Sequence, residues 1–308
     1  MEKIKILIDT DIGDEIDDAL AIYLAMRHEM EIVGITTVYR NTRERAAISK
    51  FLLKKYGNGY ENVPVFAGHG TPIAEAEQEY PHTCHYFDEL ERDEYAPDGE
   101  GDAAVDFIID QCKKHGKELV IVAIGPFTNI ARVIEKDADA LSLAKKVVIM
   151  GGAYFKQYAD WNVMCDVEAA KTMFESLPNL ECIGADVTHR LPLSKVQVDA
   201  LCACECDGAA REIARLVRLW REAVPDRLPA LHDPLAIYYA MHPDICEMTK
   251  QRIAVLESGV GRGLTLNVDA YGKAHMNPEA DVARFSAKVA CDVDKSRFMR
   301  EFTSIFEI

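Results

Sequence analysis

Short apolar runs rich in β-branched residues alternate with helix-spaced stretches along most of the chain, and this alternation restricts the fold more than any other feature. Ile4–Ile8, Ile32–Val38, Val63–Ala67, Leu119–Ile124, Lys146–Met150 and Glu181–Ala185 read as strands. Between them Ala19–Arg27, Arg43–Lys55, Ala103–Cys112 and Thr128–Glu135 carry helical spacing, the last with Thr128 or Asn129 near its cap. Strands that are apolar at nearly every position are buried on both faces, which is the habit of parallel sheets. From about Ile253 the pattern changes, and Val255–Glu257 and Leu264–Val268 flank Gly259, Gly261 and Gly263 as in a hairpin. The expected fold class is α/β: an open, mostly parallel, Rossmann-like sheet with helices on both faces and a C-terminal β-hairpin. No internal repeat and no Ser/Gly linker interrupts the pattern, so residues 1–308 read as a single domain.

Charge narrows the partners. With 35 Lys and Arg against 51 Asp and Glu, the formal net charge is −16. Such a surface repels phosphate backbones and anionic membranes, so neither nucleic acid nor a membrane is expected as a partner. No apolar run has the roughly 18 residues of a membrane span, and Ile6, Leu7 and Ile8 are too few for the core of a secretion signal. Nine cysteines without regular spacing read as reduced thiols of a cytoplasmic protein. Cys202-Ala-Cys204-Glu-Cys206 is dense, but no matching Cys or His pair stands nearby to complete a metal site. The acidic segment Thr71–Asp102, with His82, Cys84 and His85, reads either as a solvated loop with a helix or as a lid beside a site.

The strongest local signal follows the first strand. Asp9-Thr10-Asp11-Ile12-Gly13-Asp14-Glu15-Ile16-Asp17-Asp18 packs six carboxylates into ten residues. A helix N-terminus accounts for Asp17 and Asp18 through its dipole, but not for Asp9 and Asp11 at the strand end. In open parallel sheets the carboxyl ends of strands form the ligand crevice, and a hard divalent cation with oxygen ligands offsets the repulsion. An EF-hand fails, because counting from Asp9 places Asp14 where Gly is needed and Leu20 where Glu is needed. A dinucleotide fingerprint fails because Gly13 stands alone. A phosphatase of the haloacid dehalogenase type, with Asp9 as nucleophile and Asp11 as acid/base, remains as an alternative, although Ile12-Gly13-Asp14 is a poor continuation for it.

The same turn, Asp9-Thr10-Asp11-Ile12-Gly13…Asp17-Asp18-Ala19, resembles the N-terminal signature of the inosine–uridine-preferring nucleoside hydrolases, usually Asp-x-Asp-Pro-Gly-x-Asp-Asp-Ala. Here Ile12 replaces Pro and two extra residues precede the Asp pair. Further likenesses follow in order. Thr36-Thr37-Val38-Tyr39-Arg40-Asn41 is similar to Thr-Thr-Val-x-Gly-Asn, with Arg40 in place of Gly. Gly125-Pro126-Phe127-Thr128-Asn129, Met150-Gly151-Gly152-Ala153 with Trp161-Asn162 and Asp166–Ala170, His232-Asp233-Pro234, and the Gly-rich stretch from Glu257 to Thr265 resemble the remaining motifs.

The resemblance implies the nucleoside hydrolase fold and Ca²⁺-dependent hydrolysis of the N-glycosidic bond of purine or pyrimidine ribonucleosides. The implied Ca²⁺ ligands are Asp11, Asp18, Asp233 and the backbone carbonyl of Ile124, with the ribosyl 2′- and 3′-hydroxyls and a water filling the remaining positions. Asp17 is the implied base for that water and also contacts substrate. Asn41 and Asn162 match residues that bind ribosyl hydroxyls, and Met150 matches a residue on the 5′ side. Asp160 stands where the family has Glu, and Trp161 is placed to stack near the substrate ring. His232 matches a proton donor to the leaving base, a task suited to a pKa near neutrality. Asp14 and Glu15, in the insertion, read as a solvated turn, and the other histidines receive no role. A small-molecule ribonucleoside as partner, a role in purine or pyrimidine salvage, and assembly as a homodimer or homotetramer complete the expectation. The departures at Ile12, Arg40 and Asp160 leave room for a catalytically altered relative that binds ribosyl groups.

Overall fold

The computed structural model describes residues 4–76, 95–204, 208–268, 285–306 and 308. Its strands are β1 (Lys5–Thr10), β2 (Glu31–Thr37), β3 (Val65–Ala67), β4 (Leu119–Ala123), β5 (Lys146–Met150), β6 (Leu180–Ile183), β7 (Cys246–Gln251), β8 (Ile253–Val255), β9 (Thr265–Asn267) and β10 (Ala287–Val293). The helices are α1 (Asp17–Arg27), α2 (Thr42–Tyr56), α3 (Asp102–His115), α4 (Thr128–Lys136), α5 (Ala140–Leu143), α6 (Trp161–Cys165), α7 (Val167–Ser176), α8 (Ala185–Thr188), α9 (Lys195–Cys202), α10 (Gly208–Ala223), α11 (His232–Met241) and α12 (Lys295–Phe306).

One eight-stranded sheet runs in the order β3-β2-β1-β4-β5-β6-β10-β7. All its neighbours are parallel except β10 and β7, which are antiparallel. Both faces are covered, as a parallel sheet requires. Ile6 and Ile8 of β1 join a core with α1, α2, α10, α11 and α12, while Leu7 between them joins the opposite core with α3, α4 and α7. The order turns back between β1 and β4, which makes a topological switch point at their carboxyl ends.

The expected α/β class and the C-terminal hairpin are both present; β8 and β9 pair antiparallel with Val255 opposite Thr265. Several details differ. The third strand starts at Val65, because Tyr60–Asn62 forms a 3₁₀ turn ahead of it. The sixth ends at Ile183, since Ala185 opens α8. Thr128 opens α4 beside its cap Phe127, as expected, and no side-chain bond caps the helix; Thr128 and Asn129 do not serve it. Those two side chains reach across the fold instead: Thr128 Oγ1 donates to Asp166 Oδ2 at 2.7 Å, and Asn129 Nδ2 donates to Asp9 Oδ1 at 2.7 Å. The chain also leaves the hairpin and re-enters the main sheet as β10, beside β6. Most of the Thr71–Asp102 segment, including His82, Cys84 and His85, lies outside the described residues, as does Cys206. The seven described cysteines are free thiols. Among the described residues no helix is long and apolar enough to cross a membrane.

Candidate active site

Four carboxylates converge at the switch point because of where their elements begin and end. Asp11 follows β1 directly, and Asp17 and Asp18 open α1. Asp233 occupies the first turn of α11, which packs against α1. The N-caps of both helices, Ile16 and Leu231, make no side-chain capping bond. The amides left over at such ends, and the helix dipole, favour negative charge close by. The Asp233 N–H donates to Asp17 Oδ2 at 3.4 Å, and Thr10 Oγ1 donates to Asp18 Oδ1.

All four carboxyls are at least 94% withdrawn from solvent, with Asp11 and Asp17 at 6% exposure and Asp18 and Asp233 at 4%. Burial pushes Asp11 and Asp17 up to about 7, and charged neighbours add to the effect: Asp14 and Asp17 for Asp11, Glu15 for Asp17. Asp18 and Asp233 are raised well above the carboxylate range by burial first and then by their acidic neighbours. Asp17, Asp18 and Asp233 each offer a carboxylate oxygen within 4.8 Å of one another and could hold a metal ion. The donor set consists of hard oxygens, and a divalent cation offsets both the burial that chiefly raises these groups and their mutual repulsion. The trio includes Asp17, which the resemblance casts as the base, and does not include Asp11.

Arg45 explains how the insertion holds its shape. Its guanidinium is buried on α2 and donates to the Asp11 and Ile12 carbonyls, to Tyr39 O at 2.7 Å and to Asp14 Oδ2 at 2.9 Å. Glu15 accepts from Trp220 Nε1 at 3.2 Å and from Arg227 Nη1 at 2.6 Å. Asp14 and Glu15 are therefore paired anchors rather than the solvated turn expected of them. Arg45→Met is expected to lower stability by about 3–5 kcal/mol, because it leaves Asp14 and several carbonyls without their donor. Urea unfolding of the variant beside the wild type measures this, and a loss under about 1 kcal/mol would remove the clamp from the account.

Above the carboxylates opens a cavity of about 720 Å³, within the range of small-molecule sites. Its wall includes Asp11, Asp17, Asp18, Ile124, Met150, Asp160, Trp161, Asn162, His232 and Asp233, so every candidate residue except Asn41 lines it. Asn41 is instead the N-cap of α2, where its side chain accepts from Glu44 N at 3.5 Å. Asn162 Nδ2 donates to the Ile124 carbonyl at 2.9 Å and to the Met150 carbonyl at 3.1 Å. Asp160 caps α6, and burial raises it to about 6 despite backbone donors from Gly152, Val163 and Asn162. The hairpin supports this wall, since Thr265 Oγ1 accepts from Ala153 N at 2.9 Å. Trp161 is 51% exposed at the rim.

His232 differs from expectation. Its Nδ1 lies 2.7 Å from Thr188 Oγ1, and its pKa is pushed down to about 4 by burial and by nearby His189, Lys156 and Arg227, rather than standing near neutrality. His189, Tyr158, Val224, Arg227 and Arg40 also line the cavity. The sequence reading assigned none of them a place there. His189 lies on the cavity wall with its ring 5.4 Å from that of His232, and Lys156 Nζ donates to its Nδ1 at 2.9 Å. Because an ammonium only donates, Nδ1 is the acceptor and Nε2 carries the proton. His189 follows β6 through α8, and the rule that strand carboxyl ends carry the site would have marked it. Asp9, the nucleophile of the phosphatase alternative, is fully buried, does not line the cavity, and is bonded to Thr36 and Asn129. Nothing in that position can attack a substrate.

A doubly wound sheet with a cavity at its switch point, set over buried carboxylates of which three could hold a metal ion, is the framework of an α/β small-molecule site and not of a phosphatase acting through Asp9. Residues 6–300 match the family model described as inosine-uridine preferring nucleoside hydrolase. The chain belongs to that family, and with it to the N-glycosidases. It is 31% identical to uridine nucleosidase 1 of Arabidopsis thaliana over 276 residues, covering 85% of this chain and 81% of that protein. It is 30% identical to the inosine-uridine preferring nucleoside hydrolase of Leishmania major over 306 residues, covering 94% of each. Among solved structures, the purine-preferring ribonucleoside hydrolase from Gardnerella vaginalis superposes with a TM-score of 0.77 at 28% identity, covering 98% of both chains.

Proposed function

We propose that this protein hydrolyses the N-glycosidic bond of ribonucleosides to free base and ribose with the help of Ca²⁺. The observation that carries the reading is the buried cluster of Asp11, Asp17, Asp18 and Asp233 under a nucleoside-sized cavity, in a member of this family. Asp11, Asp18, Asp233 and the Ile124 carbonyl are the oxygens assigned to the cation. Held there, calcium would lower the pKa of a water molecule and supply a Lewis acid for vicinal hydroxyls.

Asp17 takes a proton from the attacking water, oriented by the Asp233 N–H on its Oδ2. The water oxygen bonds to C1′ as the C1′–N bond breaks, so the sugar inverts. The surrounding carboxylates favour the positive charge that develops on the ribosyl ring. Asn162, with its amide N–H groups spent on the two carbonyls, has its Oδ1 left to accept a ribosyl hydroxyl. Asp160 and Met150 bound the 5′ side. His232 and His189 form the leaving-group wall, where a neutral imidazole offers one N–H as a hydrogen-bond donor to the departing base. The base leaves as its anion and takes a proton from solvent, to which Asp17 returns the one it accepted.

His232→Ala is expected to slow inosine hydrolysis more than hydrolysis of a riboside with an already activated leaving group. Equal losses on both would make His232 a structural residue. The reading as a whole is tested by incubating the calcium-loaded protein with inosine, uridine, cytidine and adenosine and measuring free ribose. Release from at least one is expected, and release from none contradicts it.

A further inference from the structure

Arg40 lines the cavity at the place where the family motif has Gly, and the backbone there is unusual. Tyr39 and Arg40 are consecutive non-glycine residues in the left-handed region, with φ of 69° and 57°. Glycine visits that region freely, whereas a residue with a side chain is strained there, and strain of this kind persists where the surroundings enforce it. They do so here. Arg40 N donates to Gly70 O at 2.6 Å and Tyr39 N to His69 O at 3.0 Å, while a Cβ on Gly70 would lie 2.2 Å from Arg40 O.

The guanidinium held in this way has no anionic partner. It rests 5.0 Å from the centre of the Tyr39 ring, and among the described residues no carboxylate lies within ion-pair reach of it. The neighbouring cations are engaged: Arg45 with Asp14, Arg227 with Glu15, and Lys156 with Ala185 O and His189. Arg40 therefore stands on the wall of a cavity otherwise rich in carboxylates without being paired to any of them, which leaves its guanidinium open to an anion that the substrate brings. A guanidinium fork matches phosphate and carboxylate oxygens.

We propose that Arg40 is an anion-binding residue that selects nucleosides carrying an anionic oxygen group, a phosphate on the sugar or a carboxylate on the base. This specificity rests on the hydrolase reading above. The reaction is unchanged in its balance: water adds to C1′, the base leaves and takes up a proton, and the anionic group stays on whichever product bore it.

The test compares uridine and inosine with their 5′-phosphates and with orotidine, in wild type and Arg40→Gly. Glycine adopts the local φ without strain, so the variant keeps its fold. At least one charged substrate is expected to exceed its neutral parent in kcat/KM. In Arg40→Gly the charged-to-neutral ratio is expected to fall about 10- to 100-fold, the worth of a charge-assisted hydrogen bond. Preference for the 5′-phosphates assigns the anion to the sugar, and preference for orotidine assigns it to the base. A ratio that favours the neutral parents, or one that Arg40→Gly leaves unchanged, overturns the proposal. Binding of uridine, UMP and orotidine is also measured by calorimetry in calcium-loaded Asp17→Asn protein with and without Arg40→Gly. This arm expects at least one charged ligand to bind more tightly than uridine through Arg40, and equal binding overturns the proposal. Absence of ribose release from every substrate contradicts the hydrolase reading alone, because the binding arm still decides whether Arg40 takes an anion.

Discussion

Asp17→Asn is expected to lower kcat for ribonucleoside hydrolysis by about 10²–10⁴-fold, the range associated with loss of a positioned base. The amide keeps the size of the carboxyl and can still meet the Asp233 N–H through its oxygen, so packing at the first turn of α1 is preserved. What it loses is the capacity to accept the proton of the attacking water. Thermal unfolding and calcium binding measured beside the rate separate the two effects. A variant that keeps its Tm, binds calcium and turns over slowly places Asp17 in the chemical step. A variant with near-normal kcat removes it from that role. Following the nascent sugar by NMR adds a stereochemical check on the wild type, since a single displacement by water inverts C1′ and a retained configuration requires a different route.

Removal of the cation is expected to abolish turnover and to lower the Tm by roughly 5–10 °C. Binding at about 100 times Kd stabilises a folded protein by about 2.7 kcal/mol, and each kcal/mol is worth about 2–4 °C in a chain approaching this size. The sign of the pH effect follows from the same carboxylates. In the stripped protein Asp11 and Asp17 stand at about 7, above their ordinary 3.8, so the folded state holds protons that the unfolded state has released. Stability of the stripped protein therefore falls as pH rises from about 4 to about 7. Calcium needs the ionised carboxylates and competes with those protons. Its addition should raise the Tm more at about pH 8 than at about pH 5.5, and equal increments at both would contradict this account of the cluster.

The parts of this molecule that were legible in the sequence are those set by local pattern. β5 begins and ends where the apolar run does, and β1, β2 and β4 fall within two residues of their runs, because buried parallel strands are written as unbroken apolar segments. Asp11, Asp17, Asp18 and Asp233 line one cavity because strand ends and helix starts are also local signals. What escaped depends on distant partners. Arg45 looks like one charge on a helix face until β1 and β2 bring the carbonyls of Asp11 and Tyr39 to it. Asp14 and Glu15 look solvated until Arg45, Trp220 and Arg227 reach them from elsewhere in the chain. Asn41 matches a sugar ligand by its motif, and its further role as the cap of α2 shows only once the start of that helix is placed. The strand β10 (Ala-Lys-Val-Ala-Cys-Asp-Val) mixes charges into a short run, and only its pairing with β6 and β7 makes it a member of the main sheet.

On the proposed function, the carboxylates at the switch point hold a cation that a water and a ribosyl group need for bond cleavage. Ribose release from uridine and inosine, measured on calcium-loaded protein, on the same protein after chelation and after calcium is restored, tests it most directly. Release by the loaded protein, its loss on chelation and its return with calcium are expected. Release that continues unchanged in the chelated protein would contradict that function.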